Sequence, residues 1–385
     1  MKIGVPKEIL PGETRVAASS DSIKKFIGLG VEFLVQSGAG ETASMSDEML
    51  ESAGARIVAD AATLYGEADM VFKVGGPCCN GNGAVDELAM MKSDAVLIGL
   101  LNPLFQREQA AAYAKHGLTS FAMELIPRIS RAQSMDALSS QSNIGGYKAV
   151  IDAAETFGKI LPMMMTAAGT IVPARVVVMG AGVAGLQAIA TAHRLGAIVS
   201  AFDVRPAVRE QVESLGATFI EVEDTQAGSA ETSGGYAREM GEDYQKRQAG
   251  VIHETMKKQD ICITTAQIPG KKAPILITEA MVKDMKAGSV IVDMATETGG
   301  NCELSERDAV VVKYGVTIIG HANYAARVPT DTSALYARNL YNFISPMIDG
   351  ETGELKFDWE DEVIKGALLT RDGAVVHAAS QDKEV

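Results

Sequence analysis

Basic residues are scarce in this 385-residue chain: 35 Lys and Arg stand against 49 Asp and Glu, a formal charge of −14. That excess repels a polyanion and argues against a nucleic-acid partner. An anionic small molecule can still be held locally, by a helix N-terminus or a few arginines. Cysteine is scarcer still. Cys78, Cys79, Cys262 and Cys302 include no C-x-x-C pair, so neither a disulfide framework nor a zinc site is expected, and a reducing compartment fits. The histidines (His116, His193, His253, His321 and His377) have no partners at metal or triad spacing. They read as surface or cap residues, and no metal site is expected. Neither G-x-S-x-G nor H-E-x-x-H occurs, which weakens hydrolase readings. Aromatics make up only 5%, while 38 glycines point to tight turns and close backbone packing. One window, residues 176–193, lacks Asp, Glu, Lys and Arg and has the length of a membrane span. Gly180, Gly182 and Gly185 interrupt it after a β-branched run, so it reads as strand, turn and helix. The opening MKIGVPKEIL carries Lys7 and Glu8 and does not read as a secretory leader.

What is present is the mix of an ordinary globular protein, 47% apolar and 22% charged. The length favours two domains. Short β-branched runs alternate with helix-like stretches, the rhythm of parallel sheets with crossover helices. The first half places strands at 2–5, 31–35, 55–59, 70–74, 95–100 and 119–125, with a helix from Asp21 to Leu29 closed by Gly30. The second half places them at 175–179, 198–202, 218–222, 261–265, 290–294 and 316–320, an order that suits a dinucleotide-binding sheet. Residues 134–160 read as a long helical link, and the helical tail beyond 328 has no sheet of its own and is expected to pack back on the first domain. The fold class expected is therefore α/β: two Rossmann-like, doubly wound parallel-sheet domains, the first discontinuous. Its boundaries are 1–137 plus 328–385, with 138–327 as the second. The stretch from Glu223 to Gly250, with Gly228, Gly234, Gly235 and Gly241, is long for a connection and reads as a functional loop followed by a charged helix over 236–256. Met163, Met164 and Met165 read as packing residues or, if exposed, as a contact surface. They open a hairpin over 163–175 with Ala-Ala-Gly-Thr as its turn.

The strongest chemical signal is Gly180-Ala181-Gly182-Val183-Ala184-Gly185. Alone this pattern is weak. Here it follows a strand, opens a helix with Val183, Leu186 and Ile189 on one face, and is followed by Asp203 at the end of the next strand. The first glycine permits the tight turn, the second lets the backbone approach a pyrophosphate on the helix N-terminus, and the third lets helix and strand pack closely. Asp203 can accept from both ribose hydroxyls, and its charge opposes a 2′-phosphate, which favours NAD(H) over NADP(H). Arg205 works in the other direction, since a nearby arginine can bind that phosphate.

A second cluster runs from Pro127 through Arg128, Ile129, Ser130, Arg131, Gln133 and Asp136 to Ser139, Ser140, Gln141, Ser142 and Asn143. It lies where the sixth strand ends, at the carboxyl edge where open α/β sheets bind ligands. Its donors and acceptors suit an amide, a ribose and a phosphate. They suit equally an interdomain loop that caps the following helix, and both readings stand.

Across nearly its whole length the sequence resembles the NAD(H)-binding component of proton-translocating nicotinamide nucleotide transhydrogenases. The marks are KIGVPKE with ETRVA, RISRAQSMDALSSQSN, GAGVAGLQAIA, GGYA at 234–237, TTAQIPGKKAP at 264–274 and GGNC at 299–302. The resemblance implies hydride transfer between NAD(H) held here and NADP(H) on a partner component, coupled to proton movement across a membrane. It implies a homodimer, joined to NADP(H)-binding and membrane-spanning components. It places the chain at the cytoplasmic side of a bacterial inner membrane, peripheral and soluble by itself. Arg128, Gln133, Asp136 and Ser139 match positions at the nicotinamide end, the candidate catalytic set, with Ile129 and Ser130 beside them. Val183, Asp203, Val204 and Arg205 match the adenosine side. Gly235 and Tyr236 match a mobile loop, and Ala266 and Gln267 a position beside it. The 163–175 hairpin matches an element exchanged between protomers. Gln267 departs from the pattern, where an apolar residue is usual.

The rival reading is an alanine dehydrogenase, a family that shares the N-terminal pattern. Arg15 and Lys73 match residues that hold pyruvate there. That reaction also needs a His after the fifth strand, where this chain has AVLIGLLNP, and an Asp where it has Glu297. Without the imidazole a general acid/base for amination is missing. Direct transfer between two nicotinamide rings needs none, only stacked rings, excluded water and held carboxamides. Arg15 and Lys73 are then read as structural salt-bridge residues. A non-catalytic NAD-sensing module is the third reading, and it leaves the RISRAQSMDALSS stretch without a purpose.

Overall fold

The structure, a computed structural model, describes residues 1–79, 85–222, 241–350 and 352–377. The chain divides into two compact units, Met1–Gln141 with Ala326–Val385, and Ser142–Ala325. The first unit carries β1 (Lys2–Val5), β2 (Glu32–Gln36), β3 (Arg56–Val58), β4 (Met70–Gly75), β5 (Val96–Leu100) and β6 (Thr119–Ala122). The second carries β7 (Met164–Thr166), β8 (Gly169–Ile171), β9 (Arg175–Met179), β10 (Ile198–Phe202) and β11 (Thr218–Phe219). It continues with β12 (Ile261–Thr264), β13 (Val290–Asp293), β14 (Val310–Lys313) and β15 (Val316–Ile319). β16 (Leu368–Arg371) and β17 (Ala374–Val375) return to the first. Each unit is an α/β fold around a mainly parallel sheet, and the first is discontinuous.

The first sheet has the order β17-β16-β6-β5-β4-β1-β2-β3. Its strands are buried on both faces, as parallel strands with crossover helices must be. In β4, Met70, Phe72 and Val74 join the core that holds Phe26, Tyr336 and Phe343, while Val71 joins Leu64, Tyr65 and Tyr113 on the other face. This is the period-2 alternation of a strand. The helix Ser20–Ile27 opens on a Ser19/Ser22 capping box, and Gly30, at φ +77°, turns the chain into β2. The sheet reverses its winding between β1 and β4, which makes the carboxyl ends of these two strands its topological switch point.

The tail differs from expectation. Its helix Pro329–Ile344 packs on the sheet through Tyr336, Leu340 and Phe343, with Phe343 edge-on to Phe121 at 5.5 Å. It also adds two strands, β16 antiparallel to β6 and β17 antiparallel to β16. Strands this short, carrying Thr370 and Arg371, leave no β-branched run to detect.

The second sheet has the order β11-β10-β9-β12-β13-β15-β14. The first five strands and β15 pair in parallel. β14 was not expected: it pairs antiparallel with β15 through a two-residue turn at Tyr314 and Gly315, both left-handed (φ +54° and +78°). The hairpin β7–β8 turns at Ala167 and Ala168 alone, because Gly169 and Thr170 already belong to β8. Met163 and Met165 are 61% and 76% exposed, so the methionine run is surface and not packing. The helical link starts later than expected, as a 3-10 turn over Ser130–Met135 followed by the helix Ala137–Thr156. The charged helix is Glu242–Met256, opened by Gly241 and not by Tyr236. Gly228, Gly234, Gly235 and Tyr236 lie outside the described residues. Among the described residues no helix is long and apolar enough to cross a membrane.

Candidate functional site

The glycine turn sits at the carboxyl end of β9. Gly180 adopts φ +101°, which only glycine takes without strain, and donates its N–H to Phe202 O at 2.8 Å. Gly182 is the N-cap of the helix Val183–Arg194, and a side chain there would meet nothing within 4 Å. Gly185 is the opposite: a Cβ would lie 1.7 Å from the Gly180 carbonyl oxygen. The buried face of this helix is Gly185, Ala188, Ile189 and Ala192, while Val183 and Leu186 are only half-buried. Small residues, and not the larger apolar ones expected, let the helix approach the sheet. Sequence reasoning also missed Gly146, in the preceding helix, whose Cβ would lie 2.0 Å from Ala184 O. Two adjacent glycines inside a helix were the available signal.

Asp203 follows β10 and is buried. Its Oδ2 accepts from Ala181 N (2.7 Å) and Arg205 Nη2 (2.8 Å), and its Oδ1 from Arg205 N and Nε (2.9 Å each). An ionised carboxylate offers about four acceptor sites, and all are used. The carboxylate therefore anchors the glycine turn and is charge-compensated by Arg205, so the unpaired charge assumed in reading the sequence is absent. Thr265, just past β12, donates its hydroxyl to Gly180 O at 3.1 Å. Ala266 follows it, half-buried, and Gln267 is exposed with its Nε2 3.3 Å from Met294 O. Gly180, Gly182, Val183, Gly185, Asp203, Val204, Arg205, Ala266 and Gln267 thus gather at the carboxyl ends of β9, β10 and β12.

The other expected residues belong to the first unit. Arg128, Ser130 and Gln133 are exposed and Ile129 half-buried on the segment that leads into and forms the Ser130–Met135 turn. Asp136 accepts from Ser139 N (2.8 Å) and Ser139 Oγ (2.6 Å) and so caps the following helix. The turn is held from the tail: Asn339 and Asn342 both donate to Ser134 O, at 2.9 and 3.0 Å, and Arg131 makes a bidentate pair with Asp361.

The sequence matches the description "Alanine dehydrogenase/PNT, N-terminal domain" over residues 4–145 and "Alanine dehydrogenase/PNT, C-terminal domain" over 149–378. The chain belongs to the alanine dehydrogenase/PNT family. It is 56% identical to the first of the polypeptides that make up the NAD(P) transhydrogenase alpha subunit of Rhodospirillum rubrum, over 379 residues and 98% of each chain. A solved transhydrogenase from Sinorhizobium meliloti, 48% identical, superposes with a TM-score of 0.87 over 98% of this chain and 100% of that one. The alanine dehydrogenase of Halomonas elongata is 30% identical over 98% of this chain and 95% of its own.

Within this family the cations matched to pyruvate binding are informative, because here they are already spent on the protein. Arg15 is buried: Nε and Nη2 donate to Glu13 (2.8 and 2.6 Å) and Nη1 to Gln141 Oε1 (2.7 Å). Lys73 is fully buried, its ammonium 2.8 Å from Glu87 and 3.2 Å from Glu8. Glu124, after β6, accepts from Asn102 N, and burial pushes its carboxyl up to about 7. A carboxyl raised in the folded state binds its proton more tightly there. Stability therefore falls as pH rises from about 4.5 to about 7 and is flat above that. Glu124→Gln removes this cost. Its thermal midpoint is expected to exceed the wild type by about 2–5 °C at pH 8 and by less than about 1 °C at pH 5, measured by calorimetry. Equal shifts at both pH values would disprove the titration.

Proposed function

We infer that this chain is the NAD(H)-binding component of a proton-translocating transhydrogenase. It takes part in hydride transfer between NAD(H) held here and NADP(H) on a partner component. What carries the reading is the likeness to transhydrogenase alpha subunits over the full length of both chains, together with a glycine turn shaped for a pyrophosphate. The residues fit a dinucleotide. The open space over Gly182, at the N-terminus of a twelve-residue helix, admits a phosphate, and Asp203 stands where a ribose is read. The bound nicotinamide would supply the hydride chemistry. In this reading residues 138–327 form the nucleotide domain, with Val183, Val204 and Arg205 at the adenosine side and Ala266 and Gln267 beside the turn. Arg128, Ile129, Ser130, Gln133, Asp136 and Ser139, in the domain formed by 1–137 and 328–385, orient the nicotinamide end. Gly235 and Tyr236 close over it. Because Ala181 N–H pins Asp203 against the turn, a 2′-phosphate meets a carboxylate that cannot rotate away, even with Arg205 beside it.

The partners follow from the same reading. Membrane-spanning and NADP(H)-binding components are separate polypeptides, the chain is peripheral on the cytoplasmic side, and two copies join through the exposed β7–β8 hairpin. Alanine dehydrogenase activity is disfavoured by the ion pairs that occupy Arg15 and Lys73. The test mixes the chain with a purified NADP(H)-binding component and follows transfer from NADPH to an NAD analogue, beside an assay with pyruvate, ammonium and NADH. Transfer without amination is expected, with NADH bound at least tenfold tighter than NADPH. Amination by the chain alone would overturn the proposal.

A further inference from the structure

Two marks of the sequence, TTAQIPGKKAP at 264–274 and GGNC at 299–302, have no assigned purpose, and the structure sews them together. Asn301 is fully buried. Its Oδ1 accepts from Ala266 N (3.1 Å), and its Nδ2 donates to Ala266 O (2.9 Å) and Pro274 O (2.8 Å). Its own carbonyl accepts from Leu276 N and Ile277 N at 2.8 and 3.0 Å, and Ala273 N donates to Thr298 O at 2.9 Å. The side chain thus bonds both ends of the loop that leaves β12, using every donor and one acceptor of its amide.

Asn301 is itself placed by Asp293, the last residue of β13, which is fully buried. Asp293 Oδ2 accepts from Asn301 N (2.8 Å), Cys302 N (2.9 Å) and Ser305 Oγ (2.7 Å), and Oδ1 from Ala295 N (3.0 Å). The glycines are what let the carboxylate come so close. Gly299 and Gly300 sit at φ +107° and +84°, and a Cβ on Gly300 would lie 2.9 Å from Asp293 Oδ2. From Ala266 the chain of contacts runs on through Thr265 to the Gly180 carbonyl. A charge-assisted anchor in one strand thereby fixes the loop that borders the glycine turn.

We propose that Asn301, set by Asp293, is a positioning residue for nucleotide binding: it holds the Ala266–Pro274 loop in the one conformation that leaves the glycine turn in its binding shape. The inference rests on the reading of that turn as the NAD(H) site. It acts through Ala266 and Thr265.

The experiment compares Asn301→Ser with Val316→Ala, a core truncation at the amino end of β15, away from the turn. NADH affinity is measured by titration, amide exchange over 265–277 by mass spectrometry, and thermal midpoint by calorimetry. Asn301→Ser is expected to bind NADH about tenfold more weakly and to exchange the loop amides about tenfold faster. Val316→Ala should match the wild type in both at a comparable loss of midpoint. If Asn301→Ser does not fold, Ser305→Ala, which removes one of the bonds to Asp293, is expected to give a two- to threefold loss of the same kind. NADH affinity equal to that of Val316→Ala overturns the proposal, whether or not the loop exchanges faster. A wild-type chain that fails to bind NADH overturns the reading of the site instead, and the two failures cannot be confused.

Discussion

Replacing Lys73 with methionine is expected to cost the first unit about 3–5 kcal/mol of stability at pH 8, the usual cost of removing one partner from a buried ion pair. Methionine has similar length and no charge, so the loss comes from what is left behind and not from a cavity. The ammonium lies in the middle of β4, fully buried, between Glu8 and Glu87. Glu87 also accepts from Tyr65 Oη (2.6 Å) and Cys78 N (2.8 Å), and Glu8 from Val74 N, so neither carboxylate can swing out to water without breaking further bonds. Burial alone would lower the lysine pKa. The two carboxylates reverse that and hold it above its ordinary value. Burial raises the Glu8 carboxyl even with the lysine present. In the variant that preference for the neutral acid grows. Since a raised carboxyl gains stability as pH falls, the deficit is expected to shrink toward pH 5. Denaturant unfolding at pH 5 and 8 measures both quantities. A deficit below about 1 kcal/mol at pH 8, or one independent of pH, would mean that the triad is solvated.

Lys73 also shows where the sequence stopped being legible. A lysine inside Met-Val-Phe-Lys-Val is a visible oddity, and the absence of the imidazole needed for amination made salt bridging the better reading. Its partners were not visible, because Glu8 and Glu87 reach it only once β1 and β4 are neighbours at the switch point. The glycine turn was legible for the opposite reason: its constraints are local, a left-handed residue, an open helix N-terminus and a close contact one turn on. Asp203 was placed correctly at the end of its strand. Its bonding to Ala181 and Arg205 was not foreseen, since an acceptor's partners depend on which backbone N–H groups the fold brings to it. Asn301 left no trace of its bonding, because a buried amide and a surface amide are spelled alike. β14, β16 and β17 were missed because antiparallel edge strands of two to four residues need no apolar run.

Gly185→Ala is expected to weaken NADH binding at least 100-fold, which is about 2.7 kcal/mol, and to cost roughly 1–3 kcal/mol of stability as overpacking. The added methyl would lie 1.7 Å from the Gly180 carbonyl oxygen and 3.3 Å from Thr265 Oγ1. The near atom is backbone, not the end of a flexible side chain. Either the helix Val183–Arg194 lifts from the sheet or the turn opens. The turn has little freedom to open, since Gly180 N is bonded to Phe202 O and Ala181 N to Asp203. Lifting the helix carries its N-terminal N–H groups away from the space over Gly182. Gly182→Ala separates binding from folding: φ −79° suits alanine and nothing lies within 4 Å of the new methyl, so the thermal midpoint should stay within about 1 °C of the wild type. That methyl nonetheless takes up the space through which a phosphate approaches the backbone, and NADH affinity should fall about tenfold or more. Titration and calorimetry on both variants decide the matter. If Gly182→Ala binds NADH as tightly as the wild type, the turn does not cradle the pyrophosphate, whatever Gly185→Ala does to the fold.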